Sequence, residues 1–166
     1  MSKIVTYVLR VARTFPAYHP RKGQQTDFRD KIEAGTKIHT VRDNYDYWSK
    51  AIDKVNRGEA VLSLRQWAGK PYDSPCGPKQ EFDQFFHKPE GNILGYQKVE
   101  IKHTRNELKM KVITLDIDGK RITTKVGGTL DDLAKNDGFD QTEDLLNWFN
   151  KPIKNGIIIH FTDYRY

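Results

Sequence analysis

Residues 28–42 read Phe28-Arg29-Asp30-Lys31-Ile32-Glu33-Ala34-Gly35-Thr36-Lys37-Ile38-His39-Thr40-Val41-Arg42, and the first half of this stretch has the marks of a short helix. Phe28 and Ile32 are one turn apart and share a face. Thr26 precedes them as a capping residue, and Gly35 falls where helices commonly end. Lys37 to Arg42 reads as a turn leading into a strand. In a straight strand side chains alternate, so Lys37 and Thr40 point to opposite faces. They converge only if the chain turns at Gly35 to Lys37 and the strand begins at Ile38. Thr40 and Arg42 then share a face, with Lys37 reaching in from the turn. His39 faces away from Thr40 and reads as structural.

Outward from this stretch, residues 3–13 read as a strand rich in Val, Ile, Thr and Tyr. A helix over 45–57 carries Trp48, Ile52 and Val55 at helical spacing and stops at Gly58. A strand over 59–67 follows. Residues 68–92 contain Pro71, Pro75, Pro78 and Pro89 and read as an irregular loop insertion, with a helical turn at Glu81 to Phe86. From 93 to 126 the pattern is β. Its alternation changes parity between Val112 and Ile113, which predicts a β-bulge at a barrel corner. Asp118-Gly119 is a two-residue hairpin turn. Two more helices open near Thr129 and Asp140, and a strand over 155–164 contains Ile157, Ile158 and Ile159. The expectation is one α+β domain over 1–166, a closed or nearly closed β-barrel of six or seven strands flanked by about four short helices.

Composition narrows the partners. The 166 residues carry 28 Lys and Arg against 22 Asp and Glu, a formal net charge of +6, and the pI is near 9.3. Such a balance favours polyanions, nucleic acid above all. Cys76 is the one cysteine, so an intramolecular disulfide is excluded and a reducing, cytoplasmic setting is expected. The short apolar stretch Ile4 to Leu9 does not make a signal peptide, and no run approaches a membrane span. The five histidines include no H-x-x-x-H pair, so neither a structural metal nor a cofactor is expected.

The segment Phe28-x-x-Lys31-Ile32-x-x-Gly35-x-Lys37-x-x-Thr40-x-Arg42 resembles the signature of the ASCH domain family, of the PUA-like superfamily: a short helix, a glycine, then Lys-x-x-Thr-x-Arg entering a strand. The strand near Gly58 to Trp67, the Asp137-Gly138-Phe139 segment followed by Leu145, and the final strand Ile157 to Phe161 follow the family's order. The resemblance implies a PUA-like barrel that takes RNA or a modified nucleoside. One branch of the family hydrolyses the acetyl amide of N4-acetylcytidine with a lysine, a threonine and a glutamate. Carried over by position, these roles fall on Lys37, Thr40 and Asp137, with aspartate standing in for glutamate.

Amide hydrolysis needs a nucleophile, a base and an acid for the leaving amine. Thr40, Lys37 and Asp137 supply these in turn, with Arg42 as a donor to the developing oxyanion. For RNA, rings beside cations matter most. The clusters are Arg65-Gln66-Trp67 with Lys70-Pro71-Tyr72, and Tyr45 and Tyr47 just after Arg42. Two other uses of the cleft stay open: a non-catalytic RNA-binding module, and a ribonuclease-like enzyme in which Lys37 and Arg42 stabilise a phosphorane.

Overall fold

The computed structural model describes residues 4–67, 82–87, 94–122 and 129–166, with residues 67 and 82–87 as backbone alone. The elements run β1 (Val5–Arg10), α1 (Phe28–Glu33), β2 (His39–Asp43), α2 (Tyr45–Asn56), β3 (Ala60–Trp67), β4 (Phe82–His87), β5 (Gly95–Arg105), β6 (Lys111–Ile117), β7 (Lys120–Ile122), α3 (Thr129–Asn136), α4 (Thr142–Trp148) and β8 (Ile153–His160).

The strands form two sheets. One is three-stranded in the order β1-β3-β4, and the other five-stranded in the order β2-β8-β5-β6-β7. β1 and β3 run parallel, whereas every pairing of the larger sheet is antiparallel. The α+β class and four helices stand, but the expected barrel does not form. Among the described residues no ladder joins the two sheets, and β2 and β7 are sheet edges, whereas a barrel must pair its edges.

The reason lies in β8. Ile157, Ile158 and Ile159 are all fully buried, although successive strand residues point to opposite faces. Ile158 joins a core with Val41, Val99, Leu133 and Leu145. Ile157 and Ile159 join a second with Leu9, Ile52, Leu62 and Leu64. The larger sheet is thus covered on both faces, by α3 and α4 on one and by α2 with the β1–β3 pair on the other. A strand apolar on both sides needs such a sandwich.

Two local expectations also change. The parity switch at Val112 and Ile113 is not a bulge, since Thr104↔Val112 and His103↔Ile113 pair in unbroken register. Leu108 and Met110 belong instead to the exposed β5–β6 turn, where Asn106 N–H bonds Met110 O at 3.0 Å and Lys109 has φ 58°. The piece expected as a helical turn at Glu81 to Phe86 is largely β4, paired antiparallel with β3. Most of the 68–92 insertion, with Cys76, Lys70 and Tyr72, lies outside the described residues, as does the side chain of Trp67. Asp118-Gly119 makes the hairpin turn between β6 and β7, with φ 49° and 80°. No helix among the described residues is long and apolar enough to cross a membrane.

Candidate functional site

Three segments converge on Lys37. The first is the turn after α1. Gly35 takes φ 76°, and the N–H groups of Thr36 and Lys37 both bond Lys31 O, at 2.9 and 3.0 Å. This closes the helix and delivers Lys37 just ahead of β2, which begins at His39. The second is the end of α3, where Gly138 with φ 89° reverses the chain and the N–H groups of Gly138 and Phe139 return to Lys135 O and Ala134 O. That reversal presents Asp137. The third is β2 itself, whose Thr40 and Arg42 share a face.

The α1 turn and the α3 turn are fastened together. Lys31 Nζ donates to Gly138 O and to Asp140 Oδ1, both at 2.8 Å. Ile38 N–H donates to Asn136 O at 2.8 Å. A Cβ on Gly138 would lie 2.9 Å from Lys37 Cδ and 3.1 Å from the Phe28 ring, so this glycine is required by close approach as well as by φ.

Lys37 and Asp137 are both buried. Lys37 Nζ donates to Asp137 Oδ1 at 2.6 Å and to Asp137 O at 2.5 Å. It also lies 4.4 Å from the centre of the Phe28 ring, a cation–π contact. Burial pushes the Lys37 ammonium below its ordinary pKa, against the pull of Asp137, and the nearby cations Arg42 and Lys31 push the same way. Burial alone would raise the Asp137 carboxyl, but the Lys37 cation and His39 outweigh it and hold the group below the usual carboxylate range.

Arg42 Nη1 donates to Thr40 Oγ1 and to Val41 O, each at 2.7 Å, and Nη2 donates to Arg10 O. The last bond ties β2 to the end of β1, across the two sheets. Lys37, Thr40, Arg42 and Asp137 together line a cavity of about 20 Å³, closed off by Phe28, Phe139 and Trp148, enough for a single water. Beside it opens a cleft of about 700 Å³ between the chain leaving β1, strand β2 and the α4–β8 connection. The two share Val11, Ala12, Val41, Arg42 and Trp148.

Arg65 and Tyr45 are not part of this constellation. Arg65 Nε donates to Ser63 Oγ at 3.1 Å on β3. Tyr45 packs edge-on against Tyr96 at 5.8 Å, in the second core.

Several site residues escaped the sequence reading. His39 lies opposite Thr40, as alternation requires, yet its Nδ1 is 3.6 Å from Asp137 Oδ1, an electrostatic contact beyond hydrogen-bond length. Its Nε2 meets the Tyr166 hydroxyl at 2.7 Å, and that hydroxyl also accepts from Asn136 Nδ2 at 3.0 Å. Burial raises the Tyr166 phenol well above its ordinary pKa, so it stays protonated. Gln97 seats the same tyrosine by its backbone: Tyr166 N–H donates to Gln97 Oε1 at 2.9 Å and Gln97 Nε2 donates to Tyr166 O at 3.1 Å. The Phe28 and Lys31 positions of the quoted motif were the one available signal for the support around Asp137. Nothing in the spacing of Tyr166 announced its role.

No group of three or more His, Cys, Asp or Glu among the described residues is placed to hold a metal ion. Comparison with protein-family models, with curated proteins and with solved structures gave no match in any of the three.

Proposed function

We propose that this chain is an amide hydrolase acting on an N4-acylated cytosine nucleoside unit, with Thr40 as nucleophile and Lys37 as proton carrier, as the resemblance to the ASCH family suggests. One observation carries the reading. Lys37, buried, contacts a carboxylate from a segment 100 residues away at a cavity also lined by Thr40 and Arg42. A buried ion pair is a poor device for stability alone, and perturbed titratable groups gather at functional sites.

The lowered pKa of Lys37 brings the neutral amine, the form that accepts a proton from Thr40 Oγ, within easier reach than in a solvated lysine, although the resting pair with Asp137 holds the ammonium. Attack on the acetyl carbonyl forms the C–O bond, and Arg42 faces the developing oxyanion. The Lys37 ammonium then returns its proton to the departing N4. Cytidine leaves, and an acetyl-threonine ester remains. Water, activated by the same amine, hydrolyses the ester to acetate and free Thr40. Asp137, held ionised, orients Lys37 and balances its charge, in place of the acid role expected of it from sequence.

A second reading, non-catalytic binding of RNA, is favoured by how completely Asp137 occupies Lys37 and by the size of the cavity. Incubating the purified protein with N4-acetylcytidine, beside Lys37→Ala and Thr40→Ala, separates the two. Release of cytidine and acetate by the wild type, lost in both variants, is the expected result. An inert but folded wild type overturns the hydrolase reading in favour of binding.

A further inference from the structure

The hydrolytic scheme gives His39 no task, yet its ring is held in the site from both sides. The residue is fully buried. Its Nε2 lies 2.7 Å from the Tyr166 hydroxyl. Its Nδ1 lies 3.6 Å from Asp137 Oδ1 and has no hydrogen-bond partner among the described residues. That carboxylate oxygen is the one that accepts Lys37 Nζ at 2.6 Å. The charged and titratable groups that face the ring are Asp137 from the end of α3, Lys37 from the turn ahead of β2, His160 from β8 and Tyr166. Arg42 and Lys31 are the further cations that bear on Lys37.

The tautomer of His39 follows from Tyr166. The phenol accepts from Asn136 Nδ2 at 3.0 Å and has one proton to give. Burial keeps that proton on it, and His39 Nε2 is the acceptor within reach. Nδ1 then carries the ring hydrogen and aims it at Asp137. The opposite tautomer would aim a lone pair at a carboxylate and leave the Tyr166 proton without an acceptor among the described residues.

We infer that His39, its tautomer set by Tyr166, is a positioning residue for Asp137: it is the donor that closes on the carboxylate when Lys37 becomes a neutral amine. This rests on the reading of the site above and deepens it, by naming what lets the resting ion pair give way to the reactive form. At rest, Lys37 holds Asp137 Oδ1 as an ammonium. To accept a proton from Thr40, it must first release one, which goes to solvent through the adjoining cleft. The pair then has a net negative charge in a buried place, a state that by itself drives the proton back onto Lys37. A second donor on the same oxygen offsets that cost, because hydrogen bonds to an ionised group are roughly twice as strong as neutral ones. Closing from 3.6 Å to hydrogen-bond length takes less than about 1 Å. His39 stays neutral throughout, since burial lowers its pKa against the pull of Asp137.

The test is spectroscopic and needs no turnover. Ring nitrogen-15 shifts report the His39 tautomer in the wild type, and carbon-13-labelled lysine follows the titration of Lys37. The Nδ1–H tautomer is expected. His39→Phe keeps an aromatic ring and removes the donor, while Tyr166→Phe frees the tautomer. Lys37 is expected to titrate about one pH unit higher in His39→Phe, a tenfold fall in amine at a given pH, and to move the same way by less in Tyr166→Phe. A merely structural role lowers the urea midpoint and leaves the Lys37 pKa in place. An Nε2–H tautomer in the wild type overturns the inference, as does a Lys37 pKa unmoved or lowered in folded His39→Phe. Where that variant does not fold, the wild-type tautomer and Tyr166→Phe decide. If tautomer and shift are found but N4-acetylcytidine is not hydrolysed, the hydrolase reading falls and the positioning of Asp137 stands. If hydrolysis is found with the Nε2–H tautomer, the positioning falls and the hydrolase reading stands.

Discussion

His160 gives this fold a sensitivity to mild acid whose size follows from its surroundings. Gln97 Nε2 is committed to Asp118 Oδ2 and Tyr166 O, so Gln97 Oε1 faces His160 Nε2 at 3.0 Å and must accept from it. His160 is therefore the Nε2–H tautomer, and its Nδ1 is buried without a hydrogen-bond partner. Protonation would place a charge there. Burial, followed by the effects of His39 and Arg165, lowers the pKa to about 3. In the unfolded chain it returns to about 6.5. As pH falls below that value, the unfolded state takes up a proton that the folded state refuses, and stability drops. Between pH 7 and pH 5 the linkage amounts to roughly 2 kcal/mol from this residue alone. Urea unfolding followed by tryptophan fluorescence at pH 7, 6 and 5, in wild type and His160→Gln, measures it. The wild type is expected to lose about 2 kcal/mol more than the variant over that range. Parallel pH curves for the two proteins would refute the argument.

Asp137→Asn leaves the Lys37 ammonium buried without its counter-charge, and a cost of roughly 3–5 kcal/mol is expected by chemical denaturation. A loss under 1 kcal/mol would mean that the pair is not desolvated. Tyr166→Phe deprives His39 and Asn136 of one oxygen and should cost about 1–3 kcal/mol, visible as a lowered urea midpoint. Gly138→Ala imposes a side chain at φ 89° and 2.9 Å from Lys37 Cδ. It should cost at least about 1–2 kcal/mol and perturb the Lys37 side-chain carbon resonances, while Gly23→Ala, with open space around its Cβ, should leave those resonances in place.

The sequence disclosed the parts of the site better than the frame around them. Local rules placed α2 and the Asp118-Gly119 hairpin, because capping glycines and turn residues act within a few positions. They also brought Lys37 toward Thr40, since Gly35 dictates the turn. The sheets were misjudged because pairing is a long-range choice. The run Ile157-Ile158-Ile159 is itself a mark of a strand buried on both faces, and hence weighs against a simple barrel, whereas its position near the chain's end says only that a strand lies there. Leu108 and Met110 continue the alternation of Val112 in sequence, although they sit in a turn with Asn106 and Lys109 and are exposed. Tyr166 stands in sequence only as a terminal aromatic beside Tyr164 and Arg165. Its partners His39, Gln97 and Asn136 come from three distant segments, which no local pattern links.

β2 pairs with β8 and with no other strand among the described residues, His39 meeting His160 and Asp43 meeting Gly156. Asp137 likewise comes from far along the chain. During synthesis, then, Lys37 and Thr40 leave the ribosome long before Asp137 and β8 exist to complete their surroundings. β2 must wait as an unpaired strand while the chain through β8 is made, and such non-local pairing is slow. The interval is the period of greatest exposure to mispairing and aggregation. A chain cut just before β8 keeps both residues of the Lys37–Asp137 contact in its sequence but loses the strand that seats Thr40 and Arg42.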